Sequence, residues 1–155
     1  IRIQLIEQIK KAFWKVRLNG GATLHQGRAA DDYKSDREIE LAARHDREKH
    51  WISVDHKKLL RLADAMYFLD DRGILFYSPA YMTMGLRLFD ECEELGTEVA
   101  ITGWARLAVY ETKLKITIEQ KQAALAYIDY VIEHRGSPGY CTDNQLAKAR
   151  AFLQS

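Results

Sequence analysis

LDDRGILFYSPAYM occupies residues 69–82, and whether it is a turn or a site settles how the rest of the chain is arranged. Asp70-Asp71-Arg72-Gly73 has the chemistry of a turn, with Gly supplying a permissive backbone. Ile74 to Tyr77 is rich in residues that suit an extended strand. Ser78-Pro79 then fits an N-cap followed by the first helical position, where proline's missing N–H costs nothing. Leu86, Leu88, Phe89, Cys92 and Leu95 continue that helix to Gly96. The stretch predicts a chain reversal feeding a helix, with Phe76 and Tyr77 plugging the core.

The same reasoning extends outward. Leu5, Ile9, Ala12, Phe13 and Val16 form one helical stripe, stopped by Asn19-Gly20-Gly21. Thr23 caps a short helix to about Tyr33, and Asp36 caps the next, with Ile39, Ala42, Ala43 and Trp51 inward. Asp55 caps another, whose Leu59, Leu60, Leu62, Ala63, Met66, Phe68 and Leu69 are apolar nearly all round, as befits a central helix. Residues 97–116 carry alternation and β-branched side chains that allow a short hairpin across Gly103. Thr117, with Glu119-Gln120 behind it, caps a helix striped by Ile118, Leu125, Ile128 and Ile132. Gly136-Ser137-Pro138-Gly139 breaks that helix. Thr142 caps the last, which carries Leu146, Ala149 and Leu153. The expectation is a mainly α protein, one compact helical domain over residues 1–155 with six or seven helices and room for one short hairpin.

The totals exclude several classes. The chain has 155 residues, 47% hydrophobic and 29% charged, so it can bury a core of its own. A net charge of +1 offers no global field for nucleic acid or an anionic membrane. IRIQLIEQIKKAFW at the start is charged throughout and lacks the apolar core of a signal peptide. No run approaches the ~20 apolar residues of a membrane span. The chain starts on Ile1 rather than Met, which limits what its start says about targeting. Two cysteines, Cys92 and Cys141, are too few for a secreted disulfide scaffold; reduced thiols in a cytoplasmic protein are expected.

Chemistry is thinly represented. RHDREKHW, residues 44–51, is the densest set of ligand-type side chains. On a continuous helix Asp46 and His50 share one face, with His45 about 100° around. A metal-dependent hydrolase built on His45, Asp46 and His50 is therefore the enzymatic alternative, although such sites need further ligands, and His25 and His134 sit in no recognisable context. The plainer reading is a charged helix end, and neither a metal nor a cofactor is assigned. Cys92 lies in DECEE, where four carboxylates suppress the thiolate, and Cys141 has no histidine nearby in sequence. No nucleophile elbow, Walker loop or dinucleotide fingerprint occurs.

Two acidic segments point to binding. Asp90, Glu91, Glu93 and Glu94 crowd the expected C-terminal end of a helix, against its dipole. Asp31, Asp32, Asp36, Glu38 and Glu40 form the second. In a nearly neutral chain such local patches suit a cationic partner. Trp and Tyr are common interface anchors, and Tyr81 is the edge candidate; a small-ligand pocket beneath Tyr77 and Tyr81 is the third alternative.

Asp46 to Trp51, Phe68-Leu69-Asp70, Gly73, then Phe76, Tyr77, Pro79 and Ala80, the Tyr81-Met82 pair and Gln120 follow the pattern of a known family. On these residues the chain resembles an uncharacterised bacterial domain family, one of the domains of unknown function, over about residues 10–135. It departs from that pattern at Ser78, where Leu is usual, and at Tyr127-Ile128, where Phe-Leu is. The resemblance implies a shared fold and brings no catalytic residues. The expectation is a non-enzymatic domain that binds a basic protein partner, by analogy an inhibitor or immunity partner of a bacterial toxin.

Overall fold

The segment 69–82 is not a turn and a strand but the first part of the longest buried helix. The computed structural model describes all residues except 92, 93, 137, 138 and 140, and describes 94 and 95 without their side chains. Expectations on Cys92, Glu93, Ser137 and Pro138 lie outside the described residues. The described chain forms α1 (Arg2–Phe13), α2 (Leu24–Asp31), α3 (Asp36–Ala42), α4 (His56–Arg61), α5 (Asp71–Arg87), α6 (Glu94–Val109), α7 (Ile118–Arg135) and α8 (Asp143–Gln154). Three 3₁₀ turns, Ala43–His45, Trp51–Ser53 and Ala63–Phe68, link them, and no strand occurs among the described residues.

Asp70 is the N-cap of α5: its Oδ1 accepts from the Gly73 N–H at 2.9 Å and also from the Ala22 N–H at 3.0 Å. Asp71 then sits in the first turn, where the dipole favours a carboxylate. The double aspartate that suggests a turn is thus a helix start. Pro79 lies inside α5 rather than at its beginning. Beyond it the Thr83 hydroxyl donates to the Pro79 carbonyl at 2.9 Å and reaches the Ala80 carbonyl at 3.2 Å. Burial overrides local preference here: from Gly73 to Leu86 every residue but Leu75 is buried. Strand propensity is worth about 1 kcal/mol at most, small beside packing on every side.

The central helix is therefore α5 and not residues 59–69. That stretch divides into α4 and the 3₁₀ turn Ala63–Phe68; Leu59, Leu62, Ala63, Ala65, Met66 and Leu69 face inward, while Leu60 and Phe68 are each 45% exposed. The proposed hairpin across Gly103 is also absent. Residues 94–109 form the single helix α6, buried from Val99 to Ala105. A helix buried all round has no polar side to reveal its period, so alternation of β-branched residues reads equally as strand. The α5–α6 pair is antiparallel, with Gly85 beside Thr97 and Ile74 beside Gly103.

The remaining helices close around this pair. α1 packs on α5 and α7, and α8 on α6 and α7. Helix α1 buries Leu5, Ile9 and Phe13 as its stripe requires, but ends at Phe13, before the glycines. The inner face of α7 is Ala123, Ala124, Tyr127, Ile128 and Val131; Ile118 is 69% exposed. Helix α3 buries none of its residues, so Ile39 and Ala42 are not core; Trp51 is, but on its own 3₁₀ turn, with Nε1 donating to the Phe13 carbonyl at 2.9 Å. No helix among the described residues is long and apolar enough to cross a membrane.

Tyr81 belongs to this core. It is fully buried, and its hydroxyl donates to the Leu59 carbonyl at 2.7 Å. That carbonyl lies in the last turn of α4, where the helix itself supplies no partner. Tyr81→Phe leaves it unsatisfied, and denaturant titration should show a loss of about 1–2 kcal/mol with unchanged helix content.

Candidate functional site

Residues 44–51 do not form the continuous helix that would align Asp46 with His50. α3 stops at Ala42, Asp46 has left the helical region at φ −123° and ψ 86°, and His50 is extended. Asp46 turns inward to the start of α2. Its Oδ2 accepts the His25 N–H at 2.8 Å, and its Oδ1 meets His25 Nδ1 at 2.7 Å and Lys58 Nζ at 3.0 Å. The carboxylate is 2% exposed. The His25 N–H belongs to the first turn of α2 and has no partner within the helix, so an anion there satisfies it and meets the positive end of the dipole.

Lys58, on α4, completes the network. Its ammonium pairs with Glu48 at 2.7 Å and donates to the His45 carbonyl at 3.1 Å. Burial opposes charge on both Asp46 and Lys58, but partners outweigh it. The hydrogen bonds from Thr23, His25 and Lys58 hold the Asp46 carboxyl below the usual range, and Glu48 and Asp46 raise the Lys58 ammonium above its own. Tyr77, buried beside them, accepts from the Leu24 N–H at 3.4 Å; burial and then the Asp46 charge push its hydroxyl far up, so it stays neutral. The set fastens α2, the 43–50 segment and α4 together.

The residues of the sequence-derived metal alternative are thus separated in role. His45 is exposed, with its ring 5.1 Å from that of His25. Asp46 is taken up by α2 and Lys58. His50 accepts the Ile52 N–H on Nδ1 at 3.1 Å, which leaves Nε2 to donate to the Trp14 carbonyl at 2.9 Å. Among the described residues no three His, Cys, Asp or Glu side chains converge on one ion position. His25, Lys58 and Glu48 were not visible as site residues in the sequence, where nothing signals that they meet Asp46.

Tyr77 and Tyr81 face the interior, which removes Tyr81 as a surface anchor. A groove of about 970 Å³ instead runs between α1 and the first turn of α7, with Lys11, Trp14 and Lys15 opposite Thr117 and Gln120. Gln120 is occupied structurally: Oε1 accepts the Thr117 N–H at 3.0 Å, and Nε2 donates to the Ala12 carbonyl at 3.2 Å.

The first acidic segment is placed differently from its expectation. α5 ends at Arg87, so Asp90 and Glu91 do not crowd a helix C-terminus, and Glu94 begins α6. Asp90 pairs with Arg2 at 3.0 Å, Glu91 is exposed, and Glu93 lies outside the described residues.

The second segment is an outer edge. Asp31 closes α2, Asp32 is its C-cap, and Ser35 caps α3 through a reciprocal bond with Glu38. Between them the chain makes a Schellman turn: Lys34 N–H to Ala29 carbonyl at 3.0 Å, Tyr33 N–H to Ala30 carbonyl at 3.1 Å. Tyr33 holds the left-handed position, at φ 56°, where Gly is usual, and its side chain is 96% exposed. In the sequence Tyr33 marks only a helix end, within Asp-Asp-Tyr-Lys-Ser.

A family model described as a family of unknown function (DUF6714) matches residues 1–147. No curated protein and no solved structure matches the chain.

Proposed function

We propose, from the premise that the chain belongs to the DUF6714 family of unknown function, that it is a protein-binding domain whose contact surface centres on the α2–α3 edge. Tyr33 carries the reading. Its left-handed backbone costs about 1 kcal/mol relative to Gly, and its ring stands in water. Both features are unfavourable to the isolated chain, and both are useful to an interface, where Tyr is a frequent anchor. Asp31, Asp32, Asp36, Glu38 and Glu40 around it suit a basic protein and repel nucleic-acid phosphate. An inhibitor- or immunity-type role, in which such an edge occludes a basic enzyme, is the form we favour by analogy.

Tyr33→Gly tests this from two sides. It should stabilise the domain by about 1 kcal/mol, because Gly adopts the left-handed cap without strain. It should also abolish retention of a partner that the immobilised wild-type chain captures from native extract. Asp31→Lys with Asp32→Lys should do likewise, and added salt should release the partner. A partner held equally well by Tyr33→Gly, or no partner at all, ends the proposal.

A further inference from the structure

The His25 and His45 rings have a relation that the Asp46–Lys58 network does not require. Their centres lie 5.1 Å apart and their planes are inclined at 41°. Two imidazoles bound to one tetrahedral Zn²⁺ have ring centres about 5 Å apart, given Zn–N of about 2.0–2.1 Å and about 1.1 Å from nitrogen to ring centre. The separation fits a shared ion. His25 is also held as metal-binding histidines are: the ionised Asp46 carboxylate can only accept, so His25 Nδ1–H donates to it and the Nε2 lone pair is left free. His45 makes no side-chain hydrogen bond among the described residues, and its ring is exposed, while its carbonyl is tied to Lys58.

We propose that His25 and His45 form a two-imidazole site for a divalent transition ion of the Zn²⁺ type. The site is independent of the Tyr33 edge. No third protein ligand converges on the pair among the described residues, so water fills the other positions. That makes the site open, weaker than a closed structural zinc site, and able to accept a donor from a bound molecule.

Titration of the tag-free chain with Zn²⁺ by calorimetry, and with Co²⁺ by visible absorption, tests it. The expected result is one saturable ion per chain and, for Co²⁺, the intense bands of tetrahedral coordination. His45→Ala, at an exposed position, should keep the metal-free melting temperature and weaken binding at least about tenfold. His134→Ala should bind as wild type, since that ring is stacked on Tyr130 at 4.0 Å. Absence of saturable uptake, or equal affinity in His45→Ala and wild type, overturns the site.

Discussion

Asp46→Ala should destabilise the domain by about 3 kcal/mol, more than any other single change at a charged residue. Breaking a buried pair by removing one partner costs about 3–5 kcal/mol, and the lower end applies because Lys58 keeps some solvent contact and a second anion. What is lost is not one bond. The His25 N–H and the His25 ring both lose their partner, and the Lys58 ammonium loses one of its two anions. Glu48→Ala is the comparison. Its side chain is 16% exposed and among the described residues it bonds Lys58 alone, so it should cost about 1 kcal/mol or less. Urea titrations of the two variants at neutral pH give both numbers; near-equal losses would refute Asp46 as the hub.

The pH dependence separates this account from simple loss of packing. The folded-state pKa of Asp46 lies below its unfolded value. Its contribution is therefore complete above the ordinary carboxylate pKa of about 3.9 and disappears as pH falls through the lower folded value. Lys58 is shifted the other way, so its contribution is complete below its ordinary value and disappears as pH rises through the higher folded one. The difference in stability between wild type and Asp46→Ala should thus be flat across the neutral range and shrink in acid. A gap that stays constant down to pH 2 would mean that packing, not charge, fixes the 43–50 segment.

What the sequence discloses about this protein is mostly local chemistry. Thr23, Asp55, Thr117 and Thr142 are caps where a cap was expected, because a side-chain oxygen bonding an N–H two or three residues on needs no other part of the chain. At α3 the choice slipped by one residue: Ser35 wins over Asp36 because Glu38 stands three positions after it and completes the reciprocal pair. The all-helical class follows from such signals. Identity of the central helix does not. α5 and α6 are buried on all sides, so the polar face that would mark a period of 3.6 is missing, and Pro79 suggests a beginning where there is a middle. The charged network is hidden for a different reason. His25, Asp46 and Lys58 lie 21 and 12 positions apart along the chain. Only the path of the irregular 43–50 segment brings them together, and no periodicity encodes that path.

Gly73→Ala bears on the stretch that decided the fold, and it should cost about 2 kcal/mol. In an ordinary helix this change gains about 1 kcal/mol, since Ala is the better helix former. Here the first turn of α5 is crossed by residues 21–22 at contact distance. A Cβ on residue 73 would press into the Ala22 carbonyl oxygen and lie 3.2 Å from Asp70 Oδ1. Neither is the free end of a flexible side chain. The Ala22 backbone is itself held by the Asp70 carboxylate that caps the helix, so moving it away weakens a hydrogen bond at the same time. Overpacking of this kind costs about 1–3 kcal/mol and at times more, which exceeds the propensity gain. Gly20→Ala isolates the other effect a glycine can have. Gly20 has φ +81° with open space where a Cβ would go, so it should lose about 1 kcal/mol through backbone strain alone. If 70–73 were a flexible turn joined to a strand, Gly73→Ala would be near neutral. If α5 began there without the crossing, it would be stabilising. Only a helix start pinned beneath residues 21–22 makes this substitution the more damaging of the two.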